Sequence, residues 1–146
     1  MHGAINFMNN PMLRAAAAGG AYVALVFAAG FLLGSIRVLI IIPRIGEAVA
    51  VGLELPIMLA LSWIVCRRLI AVFDVAAMLK PRPVMGGLAF GILMLAEIGV
   101  STLVLGRTVS EHFEQYRELL TLLGLAMQIA FAMFPAIQLV MRRQSQ

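Results

Sequence analysis

Apolar positions fall into four long stretches, and polar residues gather mainly in the joints between them. A membrane span needs roughly 20 mainly apolar residues, and the pattern predicts four helices over about 15–42, 47–66, 84–106 and 119–141. In the first joint, Pro43-Arg44-Ile45-Gly46, Pro43 is expected to end the helix. So tight a turn makes the second span an antiparallel neighbour of the first. The second joint carries Arg67, Arg68, Asp74, Lys80 and Arg82, and closes with Lys80-Pro81-Arg82-Pro83. Its middle, Leu69 to Leu79, is apolar apart from Asp74 and either lies along the membrane surface or extends the second helix. The third joint, Arg107 to Glu118, starts like a helix, because Thr108 and Glu111 have capping-box spacing. A polar lead, Met1 to Arg14 with Asn9, Asn10 and Pro11, and a polar tail, Arg142 to Gln146, complete the chain. A cleaved leader is not expected, since the small residues Ala15 to Gly20 precede the apolar run, whereas a cleavage site comes after one. The expected fold is all-α, a four-helix antiparallel transmembrane bundle forming one integral membrane domain over 1–146.

Composition strengthens that reading. Of the 146 residues, 62% are hydrophobic and 12% charged, with a mean hydropathy of +1.00. Soluble domains hold about 45–50% apolar and about 25% charged residues, so no separate soluble domain is expected. A net charge of +4 and a pI near 10.2 raise the question of nucleic acid. Here the basic residues flank apolar runs instead of forming a patch with interleaved aromatics, so the expected partner is the lipid bilayer and not nucleic acid. Arg14, Arg67, Arg68, Lys80, Arg82, Arg142 and Arg143 would share one side, against Arg44, Arg107 and Arg117 on the other. That bias predicts both termini in the cytoplasm, with Tyr22 and Trp63 near the inner interface and Tyr116 near the outer one.

Within the four stretches stand four strongly polar residues: Arg37, Glu54, Glu97 and Gln128. A charge near the centre of a span costs about 2.5–3.5 kcal/mol on insertion scales, so three of them need a reason. At a rise of about 1.5 Å per residue, the four lie roughly 8–14 Å from the outer ends of their spans, a common layer. Helical spacing groups each with small or polar neighbours: Gly30, Gly34 and Arg37; Glu47, Glu54, Met58 and Ser62; Glu97 and Ser101; Thr121, Gly124, Gln128 and Pro135. Gly30 and Gly34 form a small-xxx-small pattern, expected to let two helix backbones approach and to turn Arg37 inward. One guanidinium has donors enough for two carboxylates, so a cluster of Arg37 with Glu54 and Glu97 is expected, one acid of the pair holding a proton near neutral pH. Two plainer readings compete. Arg37 snorkels to the interface, or the cluster only fixes helix packing. Pro56 and Pro135 either kink their helices and open a cavity or serve packing alone.

Several chemistries lack their residues. The two histidines, His2 and His112, lie outside the spans, which excludes a haem held between two buried histidines. No zinc-ligand spacing, phosphate-cradling glycine loop, nucleophile elbow or Ser/His/Asp set is present, so no cofactor, no metal and no enzymatic activity is expected. His112 with Glu111 or Glu114 reads as a solvated helix end. Cys66, beside Arg67 and Arg68, is the single cysteine and reads as packing.

The segments Gly34-Ser-Ile-Arg37, Ile42-Pro-Arg-Ile-Gly46 and Leu53-Glu-Leu-Pro-Ile-Met-Leu59 resemble a family of small bacterial four-span membrane proteins of unassigned activity. The likeness covers the first two spans and, more weakly, the Ala96-Glu97 region. It implies a bacterial inner (cytoplasmic) membrane location and carries no site residue over. The leading functional expectation is binding or transport of a small solute or protons at Arg37, Glu54, Glu97 and Gln128. So few helices enclose little, which points to a homo-oligomer or larger assembly as the working form. The alternative is a non-catalytic subunit or assembly factor of a larger membrane complex.

Overall fold

A computed structural model describes residues 10–144, and all regular structure among them is helical. The expected lead up to Asn9, with His2, and the last two residues of the tail lie outside the described residues. Four stretches are long and apolar enough to cross a membrane: Pro11–Ile45, Glu47–Val72, Pro81–Val104 and Leu119–Gln144.

Helix α1 (Pro11–Ile36) begins where a side chain can satisfy its free donors. Asn10 Oδ1 accepts from the Met12 N–H at 2.9 Å, and Pro11 fills the first turn, where its missing N–H costs nothing. The expected stop at Pro43 does not occur. The chain widens into a π turn, Arg37–Ile41, whose closing bond runs from the Ile42 N–H to the Arg37 carbonyl, and continues as α2 (Ile42–Ile45). Pro43 sits in the first turn of α2, so its missing N–H breaks no bond there. Gly46 makes the break, with φ 82° and ψ 163°, a conformation side chains with a Cβ avoid.

Helix α3 (Glu47–Val72) runs on through Arg67 and Arg68 and takes in the first four residues of the Leu69–Leu79 segment, the rest of which leaves the helix. Asp74 then reverses the chain at φ 45°. Two arginines pin this reversal. Arg14 Nε donates to the Phe73 carbonyl at 2.8 Å, the Arg14 guanidinium pairs with Asp74, and Arg82 reaches back to the carbonyls of Val75 and Ala76, each at 3.3 Å. Arg82 is only 2% exposed, so it is a structural clamp and not a free flanking charge.

Helix α4 (Pro81–Gly99) passes into a second π turn, Val100–Val104. Helix α5 (Val109–Glu114) carries the expected capping box, with Thr108 and Glu111 each bonded to the other's backbone N–H. A single 3₁₀ turn, Gln115–Arg117, leads into α6 (Leu119–Gln144). Helix α1 packs against α3 and α4, and α6 packs against the same two, so the long helices form a ring in the order α1, α4, α6, α3.

The core occupies the half of this ring nearest Arg14 and Arg82. It comprises Ala15, Ala18, Tyr22, Val23 and Val26 from α1, Cys66 and Leu69 from α3, Val75 from the reversal, Met85, Ala89 and Leu93 from α4, and Phe131 from α6. Two glycines set its tightness. A Cβ on Gly19 would stand 2.7 Å from the Met85 carbonyl oxygen, and one on Gly86 would stand 1.9 Å from that of Ala132. In lipid such close approach, not apolar burial, holds helices together. Tyr22 belongs to this core and not to an interfacial belt: it has no exposure, and its ring stacks on Phe131 at 4.2 Å between centroids. Its hydroxyl donates to the Phe131 carbonyl at 3.2 Å. That carbonyl lies four residues before Pro135, whose missing N–H would otherwise leave it unpaired. Pro135 itself is fully buried.

Candidate functional site

The opposite half of the ring is hollow. A cavity of about 830 Å³ lies between α1, α3, α4 and α6, and Arg37, Glu54, Glu97 and Gln128 all line it. Its volume falls within the roughly 300–1,000 Å³ usual for small-molecule sites. Val26, Leu93 and Phe131, members of the core, also line it and form its floor. Phe27, Phe31 and Met58 supply apolar wall, while Glu47, Arg107, His112, Tyr116 and Glu118 stand at the joints beside it.

Local structure explains how these side chains come to face one space. Both π turns flank the cavity: Arg37 opens the first, and Ser101 lies in the second. A π turn adds a residue to one helical turn and re-aims the side chains beyond it; such turns recur at functional sites. On α3, Glu47, Glu54, Met58 and Ser62 all reach the cavity, as their spacing predicts, and so do Thr121, Gly124 and Gln128 on α6. Gly30 and Gly34 line it too, but they do not bring two backbones together. A Cβ on Gly30 would meet the Met58 methyl at 3.2 Å, and one on Gly34 would meet Glu54 Oε1 at 4.0 Å. These glycines make room for side chains. The backbone contacts are made at Gly19 and Gly86, which carry no distinguishing mark in the sequence.

The polar residues form two pairs and not one cluster. Arg37 Nε lies 3.0 Å from Glu54 Oε2, with side chains 29% and 16% exposed. The approach is off the N–H axis, which makes it an ion pair without an aligned hydrogen bond. Across the cavity, Gln128 Nε2 donates to Glu97 Oε1. Among the described residues no basic nitrogen lies within 4 Å of Glu97, so the expected bridge from Arg37 to both acids is not made. The physical reason is placement: Arg37, at the start of the first π turn, lies beside α3, whereas Glu97 on α4 is met by α6. Two buried polar atoms at the second pair have no hydrogen-bond partner among the described residues, Gln128 Oε1 and Ser101 Oγ. Ser101 is 4% exposed. By contrast Thr102, its neighbour, returns its hydroxyl to the Ile98 carbonyl at 2.8 Å.

The rim is polar and aromatic. The His112 ring meets Phe113 and Tyr116 edge-on, at 5.6 and 5.7 Å between centroids. Burial pushes the Tyr116 hydroxyl above its ordinary value, and the Glu97 charge adds to that shift. Arg82 and its clamp leave no mark in the sequence, where a basic residue beside an apolar run looks like topological charge. Cys66 is fully buried, as packing requires.

No known protein family, curated protein or solved structure matches this chain. Its class is therefore the one its own architecture defines: the regular structure of the described residues is all helical, with four stretches long and apolar enough to cross a membrane.

Proposed function

We propose that this is a multi-pass protein of the bacterial inner membrane, non-enzymatic, that binds or passes a small solute or protons through the cavity. Its long helices would cross the bilayer in alternating directions with both termini cytoplasmic. The excess of basic residues at the end of the bundle near Arg14, Arg82 and Arg142 supports that orientation. One observation carries the functional reading. Four residues that lipid disfavours, on separate segments of the chain, all line one cavity of small-molecule size. In this reading Arg37 and Glu54 hold one wall by their ion pair, Glu97 exchanges a proton or meets the guest, and Gln128 orients it. Passage would require the Tyr22–Phe131 layer beneath the cavity to open, or a second copy of the chain to complete a route.

Flux into liposomes tests it. Native protein is expected to carry protons or a small solute, and Glu97→Gln to lose most of that flux. Equal flux in the two proteins ends the transport reading.

A further inference from the structure

The charges around the cavity discriminate between guests. Arg37 lines the cavity within a membrane-length stretch, and Glu54 already neutralises it at 3.0 Å. An anionic guest entering there would have to displace a carboxylate that the chain itself supplies. The other wall is different. Glu97 is held only by the Gln128 amide, with no basic partner within 4 Å among the described residues. Beside it stand two oxygens lacking a hydrogen-bond partner among the described residues, Gln128 Oε1 and Ser101 Oγ, and Ser101 is more than nine-tenths buried while lining the cavity. A carboxylate, an amide oxygen and a hydroxyl oxygen share one chemistry: each accepts hydrogen bonds from a positively charged N–H.

We propose that the guest of this cavity is an organic ammonium, its nitrogen seated at Glu97, Gln128 and Ser101 and its apolar body against Phe27, Phe31 and Phe131. The inference rests on reading the cavity as a binding site. The aromatic walls fit it doubly, since ring faces attract cations and shelter hydrocarbon. A bare metal ion fits less well. Calcium takes about six to eight oxygens and magnesium demands about six in octahedral array, whereas this wall offers three side chains. An organic anion meets four carboxyls, Glu47, Glu54, Glu97 and Glu118, against two guanidiniums, of which Arg37 is already neutralised and Arg107 stands at the joint.

The test uses purified full-length protein in detergent and three probes of one shape: benzylammonium, benzyl alcohol and benzoate. Benzylammonium is expected to raise Tm by roughly 3–6 °C near saturation, and the other two to leave it unchanged. The shift should vanish in Glu97→Gln and shrink in Ser101→Ala, a variant that removes only an unpaired hydroxyl and leaves the fold intact. Because charge selectivity is read on native protein, the test survives a variant that fails to fold. Benzoate or benzyl alcohol matching benzylammonium would overturn the cationic guest while leaving the cavity a binding site. Ammonium chloride alone giving the full shift would overturn the organic body. If no probe shifts Tm and liposome flux is also absent, the binding reading falls with it.

Discussion

The two halves of this bundle are made from the same helices and differ in what fills the space between them. Near Arg14 and Arg82, Gly19 and Gly86 bring backbones into contact, Tyr22 plugs the centre, and a buried arginine ties the second joint to the third span. Near Gly46, Gly30 and Gly34 face side chains, two π turns widen the helices, and polar atoms lie unpaired around a cavity. In lipid, where apolar surface gains little by being buried, stability comes from close packing and satisfied polar groups. The first half holds the fold and leaves the second free to keep polar atoms unsatisfied. Substitutions in the closed half should cost folding. Those in the open half should cost binding.

The largest effect is expected at Gly86. Alanine there gains about 1 kcal/mol of helix propensity but drives a methyl into the Ala132 carbonyl, and overpacking costs about 1–3 kcal/mol, sometimes more. Because the obstacle is backbone, the upper end applies, and Gly86→Ala should melt well below native protein in detergent. Gly30→Ala meets only the flexible Met58 methyl and should melt near the native value. Equal losses at the two positions would erase the contrast between the halves.

Arg82→Met comes next. It removes the donors to the Val75 and Ala76 carbonyls, and charged hydrogen bonds are worth about 1.5–3 kcal/mol each before compensation. We expect a net loss of about 1–3 kcal/mol, with Arg82→Lys rescuing it poorly because an ammonium lacks the planar fork. Proteolysis within 73–80 reads the result: faster cleavage in Arg82→Met is expected, and unchanged cleavage would sink the clamp.

The same contrast sets how much of the molecule was legible in its sequence. Apolar runs reveal helices long and apolar enough to span a membrane, because length and composition alone decide that. Helical spacing placed Glu47, Glu54, Met58 and Ser62 on one side of α3, and these do share the cavity. Pairing was not legible. Whether Arg37 meets Glu54, Glu97 or both depends on the rotation of three helices and on a π turn that no local pattern announces. The same holds for glycine: nothing in the sequence separates Gly86, pressed on a carbonyl, from Gly87, which a Cβ would leave free. Pro43 misleads because a proline stops a helix only when its missing N–H breaks a bond, and the first turn of α2 removes that condition. Tyr22 was within reach, since a proline at 135 predicts an orphan carbonyl at 131 that a buried hydroxyl can serve.

The Arg37–Glu54 pair should matter less to folding than Arg82 does. Its side chains keep 29% and 16% exposure beside an open cavity, so solvent screens it, and a double-mutant cycle with Arg37→Met and Glu54→Gln should give coupling of about 1 kcal/mol. Exchanging the two charges should recover part of that coupling. Coupling near zero would detach the pair from the wall it is held to form.

The smallest effect belongs to the joint above the cavity and sharpens the comparison through pH. Glu111 accepts the Thr108 N–H at 2.7 Å, and that bond, with help from the Thr108 side chain, holds its carboxyl below the ordinary value of 4.5. A depressed folded value means the bond stabilises α5 fully above the unfolded range, and the contribution fades as pH falls through the folded value. Amide resonances of residues 108–114 should therefore shift on acidification below about pH 4.5, the ordinary carboxyl value, while those of Tyr22 and Met85 stay fixed. Glu111→Gln should abolish the response at the Thr108 amide, which Glu111 accepts, without moving the core signals. Loop and core responding together over the same pH range would mean that the open half is not separately adjustable, and the division between a holding half and a working half would fail.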